Sequence, residues 1–345
     1  MSGPRPAHTA ATPTWLESYL GCELPREGES VTLCAQRFEL RSGILRSAAL
    51  LSEEYRQTAE AFAFKWAQRD TFDSQANIGR MRAWLVERYG DVASASWWSD
   101  YGTAPLVLDA GCGAAVSALA LFGSRLSRVR YLGADVSASV DVAADRFRES
   151  GFDDAEFMQA DLAELPFPAG SVDVIFSEGV LHHTDSTRDA LLRLAGLLRS
   201  GGRFLFYVYR RKGPIREFTD DYVRARLLER SPEDAWDALR PLTRLGIALG
   251  ELDVEIDVPE DIELLEIPAG RTTIQRLFYW HVMKAFYDPA LDLEELNHIN
   301  YDWFAPVNAH RQSPAEVRSW CDEAALEIEH ENIEPAGVTI IARKR

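Results

Sequence analysis

The sequence has little cysteine, no long apolar run and no leader-like start. Its four cysteines, Cys22, Cys34, Cys112 and Cys321, lie far apart among 345 residues, which predicts reduced thiols rather than a disulfide framework. No apolar run reaches the roughly 18–20 residues that a membrane helix needs. The first residues also lack the charged-then-apolar layout of a signal peptide. We therefore expect a cytoplasmic protein that makes no contact with a membrane.

Basic residues are also scarce relative to acidic ones. Lys and Arg number 37 against 54 Asp and Glu, a formal net charge of −17. Enzymes that act on nucleic acids usually carry a basic face, because their affinity rests on neutralising phosphates. The charge therefore disfavours a nucleic-acid partner and favours a small-molecule substrate.

The most informative segment is LVLDAGCGA, residues 106–114. Apolar residues lead to Asp109, and Gly111 and Gly113 follow, which predicts a buried parallel strand, a glycine-rich turn and a helix over residues 115–122. Glycine lets backbone N–H groups approach a ligand closely because it has no Cβ. The G-x-G-x-x-G dinucleotide pattern is absent. The carboxylate of Asp109 suits a cationic ammonium or sulfonium group and would repel a pyrophosphate.

Similar strands follow along the chain. Residues 130–135 and 156–161 each predict a strand that ends in an acid, Asp135 or Asp161. In open α/β sheets an acid at the first of these positions hydrogen-bonds the two ribose hydroxyls. Two further strands are predicted at residues 172–176 and 203–209. The predicted fold is therefore α/β, with helices between parallel strands.

Residues 106–209 resemble the class I S-adenosylmethionine-dependent methyltransferases of small-molecule type. The motifs that carry the resemblance are LDAGCG, GADVS, QADLAELPF, VDVIFSEGVLHHT and LLRSGGRFLFYVY. It implies a Rossmann-like seven-stranded sheet with an antiparallel last strand, and S-adenosyl-L-methionine as cofactor. Residues 327–333 and 338–342 match the closing antiparallel hairpin of that fold. Ala115 departs from the pattern, since the family usually has glycine there, and we expect a slightly tighter fit.

The resemblance also implies which residues contact the cofactor. The two glycines of the turn would approach its methionine part, and Asp109 would reach its amino group directly or through water. Asp135 would hold the ribose hydroxyls, while Asp161 and the Leu162 backbone would hold the adenine edge. An N-terminal helix closes over the cofactor in related enzymes, and Lys65 and Trp66 are candidates for that contact. The predicted cofactor-binding residues are Asp109, Gly111, Cys112, Gly113, Asp135, Val136, Asp161, Leu162, Ser177 and Trp66.

Three residues after the fourth strand are candidate catalytic groups. Methyl transfer from a sulfonium is an in-line displacement, so the enzyme mainly aligns the nucleophile with the methyl group. An oxygen or nitrogen nucleophile must also lose a proton, which calls for a base. In this architecture His182 and His183 lie at the methyl end of the cofactor, although many relatives carry such a pair without using it as a base. Glu178 is the alternative base or substrate anchor.

The region before the core is predicted to have three parts. Residues 1–14 are rich in Pro, Ala and Thr, which is typical of disorder. Residues 20–44 resemble, through ELRSGILR, the end of a small zinc ribbon, but single cysteines stand where a ribbon has C-x-x-C pairs. We expect two buried thiols and no metal there. Residues 52–101 are predicted to be helical, with Ser52 at a helix start.

About 100 residues, 210–312, separate the fifth strand from the last helix, where the basic fold needs only a short connection. We expect a substrate-binding lid. It begins with a basic cluster that predicts capture of a phosphate, carboxylate or nucleotide-sugar group. The alternative is a solvated turn paired with Glu217, Asp220 and Asp221. The cluster consists of Arg210, Arg211, Lys212 and Arg216.

Two later segments of the lid are informative. Apolar residues between Ile274 and Phe286 recur at helical spacing, which predicts the lid's own core or the face of a homodimer. Residues 300–310 have no period and predict a pocket-lining loop. The substrate-binding candidates in the whole lid are Arg210, Arg211, Tyr301, Asp302 and His310.

These patterns predict four regions: a tail (1–14), an N-terminal segment (15–101), the cofactor-binding core (102–212 and 313–345) and a lid (213–312). The predicted reaction moves a methyl group to O, N or C of a small molecule in natural-product or surface-sugar biosynthesis. If the basic cluster binds this acceptor, the acceptor is anionic. The alternatives are an NAD(P)-dependent oxidoreductase and a cofactor-binding protein without transferase activity. No metal site is predicted.

Overall fold

The computed structural model describes residues 14–49 and 51–345. The predicted disordered tail therefore lies outside the described residues, apart from Thr14, the first residue of helix α1. The helices are α1 (Thr14–Leu20), α2 (Glu53–Ala67), α3 (Gln75–Tyr89), α4 (Val116–Phe122), α5 (Ser139–Glu149), α6 (Thr187–Leu197), α7 (Pro214–Leu227), α8 (Pro232–Glu251), α9 (Ile274–His281), α10 (Leu293–Phe304) and α11 (Pro314–Glu323). The strands are β1 (Ser30–Leu33), β2 (Gln36–Arg41), β3 (Ile44–Ser47), β4 (Leu106–Ala110), β5 (Arg130–Asp135), β6 (Glu156–Gln159), β7 (Val172–Glu178), β8 (Leu198–Tyr209), β9 (Glu255–Val258), β10 (Gly270–Thr273), β11 (Leu326–Ile333) and β12 (Gly337–Lys344).

Ten of these strands form one mixed sheet in the order β1-β2-β3-β6-β5-β4-β7-β8-β12-β11. The five strands from β6 to β8 are parallel, and β12 runs antiparallel to both of its neighbours. The predicted α/β fold with an antiparallel last strand is confirmed. The sheet is longer than the seven strands predicted, because β3 pairs in parallel with β6 and adds β1 to β3 at that edge.

The central strand β4 is buried on both faces, as its apolar composition predicts. Leu106 and Leu108 belong to one hydrophobic core, whereas Val107 between them belongs to the other. This alternation follows from the period of two along a strand. It leaves Asp109, the next residue, at the carboxyl end of the strand, where the chain turns toward α4.

The N-terminal strands correct one sequence-based expectation. Cys22 is half-buried and Cys34 is exposed, so the prediction of two buried thiols is wrong. Cys34 and Ala35 form the tight turn between β1 and β2 with φ of 47° and 68°, and a hairpin turn of this kind points its side chains to solvent. In the described part of the chain no group of three His, Cys, Asp or Glu side chains could hold a metal ion.

The long insertion after β8 is mainly helical. It contains α7 to α10 and the β9–β10 hairpin, and α10 packs against α2, α7 and α8. Residues 300–304 belong to α10 and not to the predicted loop, because a capping box of Asp292 and Glu295 starts a helix that extends to Phe304. The helix predicted from the apolar stripe ends at His281 and packs against α7 and α8. Among the described residues no helix is both long and apolar enough to cross a membrane.

Candidate active site

A cavity of about 690 Å³ opens at the carboxyl ends of the parallel strands. In open α/β sheets, ligands bind at this edge. On one side the cavity is lined by the loops that follow β4, β5 and β7. On the other side it is covered by α2, α3 and the insertion. Residues from each layer, such as Asp109, Trp66 and Asp302, line the same space.

The glycine turn after β4 forms one wall and depends on the absence of side chains. Gly111 has a φ of 88° and Gly113 a φ of 52°, both in the left-handed region. A Cβ on Gly111 would lie 2.2 Å from a methyl carbon of Val180, and one on Gly113 would lie 2.7 Å from Nε1 of Trp66. The indole on α2 therefore packs directly on the turn. Ala115 is also left-handed, with a φ of 58°, which explains why glycine suits that position.

The carboxylate of Asp109 is buried and has no cationic partner among the described residues. Its Oδ2 accepts a hydrogen bond of 2.5 Å from the Tyr131 hydroxyl. Burial raises the pKa of Asp109 to about 7, because the charged form has lost its hydration. A ligand that brings a positive charge to this position would favour the ionised carboxylate.

Asp135, at the end of β5, connects two loops. Its Oδ1 accepts hydrogen bonds from the backbone N–H and the hydroxyl of Ser137, at 2.8 and 2.7 Å. Its Oδ2 accepts one of 2.9 Å from the backbone N–H of Gly113. The carboxylate thereby fixes the glycine turn and still lines the cavity.

The remaining predicted cofactor contacts divide into two groups. Cys112, Val136 and Leu162 line the cavity. Asp161 lies beside it and caps a short helical turn by accepting a hydrogen bond from the backbone N–H of Ala163. Ser177 is fully buried and donates to the carbonyl of Ala110 at 2.8 Å, so its hydroxyl serves the packing of β7 on β4.

The two adjacent histidines differ in their position relative to the cavity. His183 lines the cavity, and its Nδ1 lies 2.5 Å from the carbonyl oxygen of Asn308. Its Nε2 has no hydrogen-bond partner in the described part of the chain. Burial lowers the pKa of His183 to about 4, so the ring is neutral at physiological pH. His182 is completely buried, stacks on Tyr209 and lies behind the cavity wall.

Glu178 lines the cavity but is held by an unforeseen pair on α3. Arg88 donates to one carboxylate oxygen at 2.5 Å and the Tyr89 hydroxyl donates to the other at 2.6 Å. Arg88 is fully buried and its guanidinium lies between the rings of Trp84 and Tyr207, 3.4 and 3.7 Å from their centroids. These partners hold the carboxylate in one position, which suits an anchor better than a base.

Of the substrate-binding candidates in the insertion, only Asp302 lines this cavity. It forms an ion pair with Lys65 and accepts a hydrogen bond of 3.0 Å from the Tyr209 hydroxyl. Tyr301 faces the other side of α10, where only 1% of its surface is exposed, as expected for neighbours on a helix. His310 lies outside the lining, with its Nε2 3.0 Å from the carbonyl oxygen of Thr184.

The basic cluster after β8 also divides. Arg216 lines the main cavity, whereas Arg210 and Arg211 line a second one of about 410 Å³ beside the β9–β10 hairpin, and Lys212 lines both. The Lys212 ammonium donates to three backbone carbonyls, those of Arg210, Pro335 and Ala336. The predicted Arg210–Arg211 contact therefore lies outside the space that contains Asp109 and His183.

Comparison with known proteins concerns the same part of the chain. Residues 108–206 match the family described as "Methyltransferase domain". The chain contains a class I S-adenosylmethionine-dependent methyltransferase domain. S-adenosylmethionine is its cofactor. The site fits this group, because a buried carboxylate that has no cationic partner among the described residues adjoins the glycine turn in one cavity.

Three curated relatives of the methyltransferase domain are informative. The chain is 36% identical over 100 residues to the uncharacterized methyltransferase YcgJ of Bacillus subtilis, covering 29% of this chain and 38% of that protein. It is 34% identical over 107 residues to a tRNA U34 carboxymethyltransferase of Tolumonas auensis, covering 29% and 30%. It is 34% identical over 99 residues to the 27-O-demethylrifamycin SV methyltransferase of Amycolatopsis mediterranei, covering 28% and 36%. The chain thus spans less than half of the length of these relatives.

Sequence reasoning missed several residues of this site. His298 and Lys284 line the cavity, and Arg88 holds Glu178 in place. His298 lies on α10, with its Nδ1 2.7 Å from the Thr71 hydroxyl and its ring against Trp66 and Phe72. These residues belong to α3 and the insertion, which carry no motif, so only the packing of those elements onto the sheet edge reveals them.

Proposed function

We propose that the protein transfers the methyl group of S-adenosylmethionine to oxygen, nitrogen or carbon of a small molecule held beneath residues 213–312. The observation that carries this proposal is the continuity of one cavity from Asp109 and Asp135 to His183 and Asp302. The first pair belongs to the methyltransferase motifs and the last residue to the insertion. Cofactor and acceptor would therefore meet in the same cavity.

On the cofactor side, each group has a distinct role. Asp109 would hold the amino group, and Asp135 the ribose hydroxyls. Leu162 would border the adenine, while Trp66 would cover the glycine turn. S-adenosylmethionine supplies a methyl group activated by its sulfonium charge, so the chain has only to align the acceptor and manage a proton.

On the acceptor side, His183 is the candidate base. A carbonyl oxygen can only accept, so the contact with Asn308 assigns the ring proton to Nδ1 and leaves the lone pair on Nε2. Nε2 is buried without a hydrogen-bond partner in the described part of the chain and belongs to a residue of the cavity lining. Because the ring is neutral at physiological pH, it can accept a proton from an oxygen or nitrogen acceptor.

The size of the cavity supports a small molecule as acceptor. About 690 Å³ lies within the range of 300–1,000 Å³ that is typical of small-molecule sites. The net charge of −17 argues against nucleic acid, although one relative is named for tRNA. The rifamycin relative favours natural-product tailoring, and surface-sugar methylation is the second context that we propose.

The regions of the chain have correspondingly different roles in binding. We propose that residues 102–212 and 313–345 bind the cofactor, that residues 213–312 bind the acceptor, and that residues 15–101 complete the cofactor pocket through α2 and α3. This division rests on which elements line the cavity.

Calorimetric titration with S-adenosylhomocysteine, with NAD as control, tests the proposal. Micromolar binding of S-adenosylhomocysteine alone is the expected result. Transfer of labelled methyl groups from S-adenosylmethionine should then be detected with small-molecule extracts and not with bulk tRNA. Binding of NAD alone would overturn the proposal, and methyl transfer confined to tRNA would overturn its acceptor class.

A further inference from the structure

Lys284, in the segment between α9 and α10, is a buried cation that lines the cavity. Only 7% of its surface is exposed. Its Nζ lies 5.0 Å from the centre of the Trp303 ring and forms no hydrogen bond or salt bridge with any residue in the described part of the chain. An ammonium group buried in this way is costly unless something compensates its charge.

The neighbouring carboxylates are already engaged. Asp302, on α10, pairs with Lys65 of α2 and accepts a hydrogen bond from Tyr209. Asp220, on α7, accepts hydrogen bonds from Arg216 Nε at 3.0 Å, Trp303 Nε1 at 2.8 Å and the backbone N–H of Lys284 at 3.1 Å. The charged side chains that act on the Lys284 amine include Asp302, Asp220, Arg216 and Lys65, and Lys212 of the same cavity also repels it.

Within this described group, four basic side chains face two carboxylates. The excess charge has a measurable consequence, because burial, with Arg216 adding to it, lowers the pKa of Lys284 to about 7. The amine of the free protein therefore loses most of its proton slightly above neutral pH. A negatively charged ligand would restore the proton.

We propose that Lys284, with Arg216 beside it, binds an acidic group of the acceptor, a carboxylate or a phosphate. The inference rests on the proposed function, since it concerns the acceptor of that reaction. Arg216 donates through Nε to Asp220 and through Nη1 to the carbonyl of Tyr279, and the residue belongs to the cavity lining. The anion site thus lies in the main cavity, whereas Arg210 and Arg211 line the second cavity.

Proton uptake provides the test. Protein saturated with S-adenosylhomocysteine is titrated at pH 8 with benzoate, phenyl phosphate and uncharged benzamide, in two buffers with different enthalpies of ionisation. We expect benzoate or phenyl phosphate to bind with uptake of about one half to one proton, since the anion returns Lys284 to its charged form. The tighter of the two anions distinguishes a carboxylate from a phosphate. Benzamide should bind at least tenfold more weakly and without uptake.

Variants of Lys284 test whether the proton taken up on anion binding goes to this residue. Lys284→Met should abolish the uptake and weaken anion binding at least tenfold. S-adenosylhomocysteine binding and Tm should be maintained, because an apolar side chain of similar length replaces a buried amine that forms no hydrogen bond or salt bridge in the described part of the chain. Lys284→Gln repeats the test with a polar side chain. Lys344→Met is the matched control, because this lysine lies at the end of β12 and donates to the carbonyl of Ala324.

The outcomes separate the inference from the function on which it rests. If S-adenosylhomocysteine binds but neither anion does, or if anions bind without proton uptake, the inference is overturned and the proposed function stands. Anion binding that is equal in wild type and Lys284→Met also overturns it. If S-adenosylhomocysteine itself fails to bind, the proposed function fails and the inference with it.

Discussion

Replacement of Asp135 by asparagine tests the cofactor site most directly. The carboxylate accepts two hydrogen bonds on Oδ1 and one on Oδ2 from within the protein. Because each carboxylate oxygen has about two lone-pair positions, one remains on Oδ2 for a ribose hydroxyl. A hydrogen bond to a charged group contributes about 1.5–3 kcal/mol. Asp135→Asn should therefore weaken S-adenosylhomocysteine binding about 10- to 150-fold.

The assay has to separate this loss from movement of the glycine turn, since Asp135 also holds the backbone N–H of Gly113. Calorimetry with S-adenosylhomocysteine and its 2′-deoxy and 3′-deoxy analogues provides a double-mutant cycle. Wild type should discriminate against at least one analogue, and Asp135→Asn should have lost that discrimination. Ser137→Ala is the matched control, because it removes one donor to Oδ1 and retains the carboxylate.

Unchanged affinity in Asp135→Asn would refute the reasoning. So would a loss of affinity that is equal for all three ligands, because Asp135 would then act only through the conformation of the turn.

Other predictions concern the acid, the base and the buried ion pair. Since the pKa of Asp109 is raised to about 7, affinity for S-adenosylhomocysteine should rise several-fold from pH 6 to 8 as the carboxylate ionises. In Asp109→Asn the affinity should not depend on pH. A wild-type affinity that does not change with pH would contradict the prediction. His183→Gln should lower kcat about 100-fold and leave cofactor Kd unchanged, so steady-state kinetics with unchanged kcat would exclude it as the base. Arg88→Met leaves Glu178 buried without its cation and should lower the free energy of unfolding by about 3–5 kcal/mol; denaturant titration measures this, and a loss below 1 kcal/mol would refute the role of the pair.

The same raised pKa has a consequence for stability. The free protein binds the Asp109 proton more tightly than the unfolded chain does, because burial disfavours the carboxylate. The contribution of this residue to stability is therefore present at low pH and is lost as the pH rises through about 7. Saturating S-adenosylhomocysteine should reduce that loss, and thermal unfolding between pH 5 and 8 with and without the ligand measures the difference.

Much of the central fold could be predicted from local patterns. The apolar run that ends at Asp109, the two glycines after it and the acid at Asp135 have the spacing of a parallel sheet with a ligand at its carboxyl edge. The prediction of a last antiparallel strand is also confirmed. The pairing of β3 with β6 was not predicted, because an edge strand is recruited by contacts that are distant in sequence.

In the insertion, local patterns were less informative. The aromatic and polar residues after Asn300 have no period when taken alone, yet Asp292 and Glu295 cap a helix that includes the first of them and ends at Phe304. Tyr301 and Asp302 are adjacent in sequence, and the helix turns one into the protein core and the other into the cavity. A candidate list made without the helix could not distinguish the two.

The sequence by itself determined the strand-end acids and the glycine turn, because these depend on short-range spacing along strands and turns. Its resemblance to a known family identified the methyltransferase domain and the cofactor. The tertiary structure alone decided that His183 and not His182 reaches the cavity and that Arg88 fixes Glu178. It also decided that the Lys284 amine forms no hydrogen bond or salt bridge among the described residues. Burial and charge balance are sums over neighbours from distant segments, so they exist only once the chain is folded.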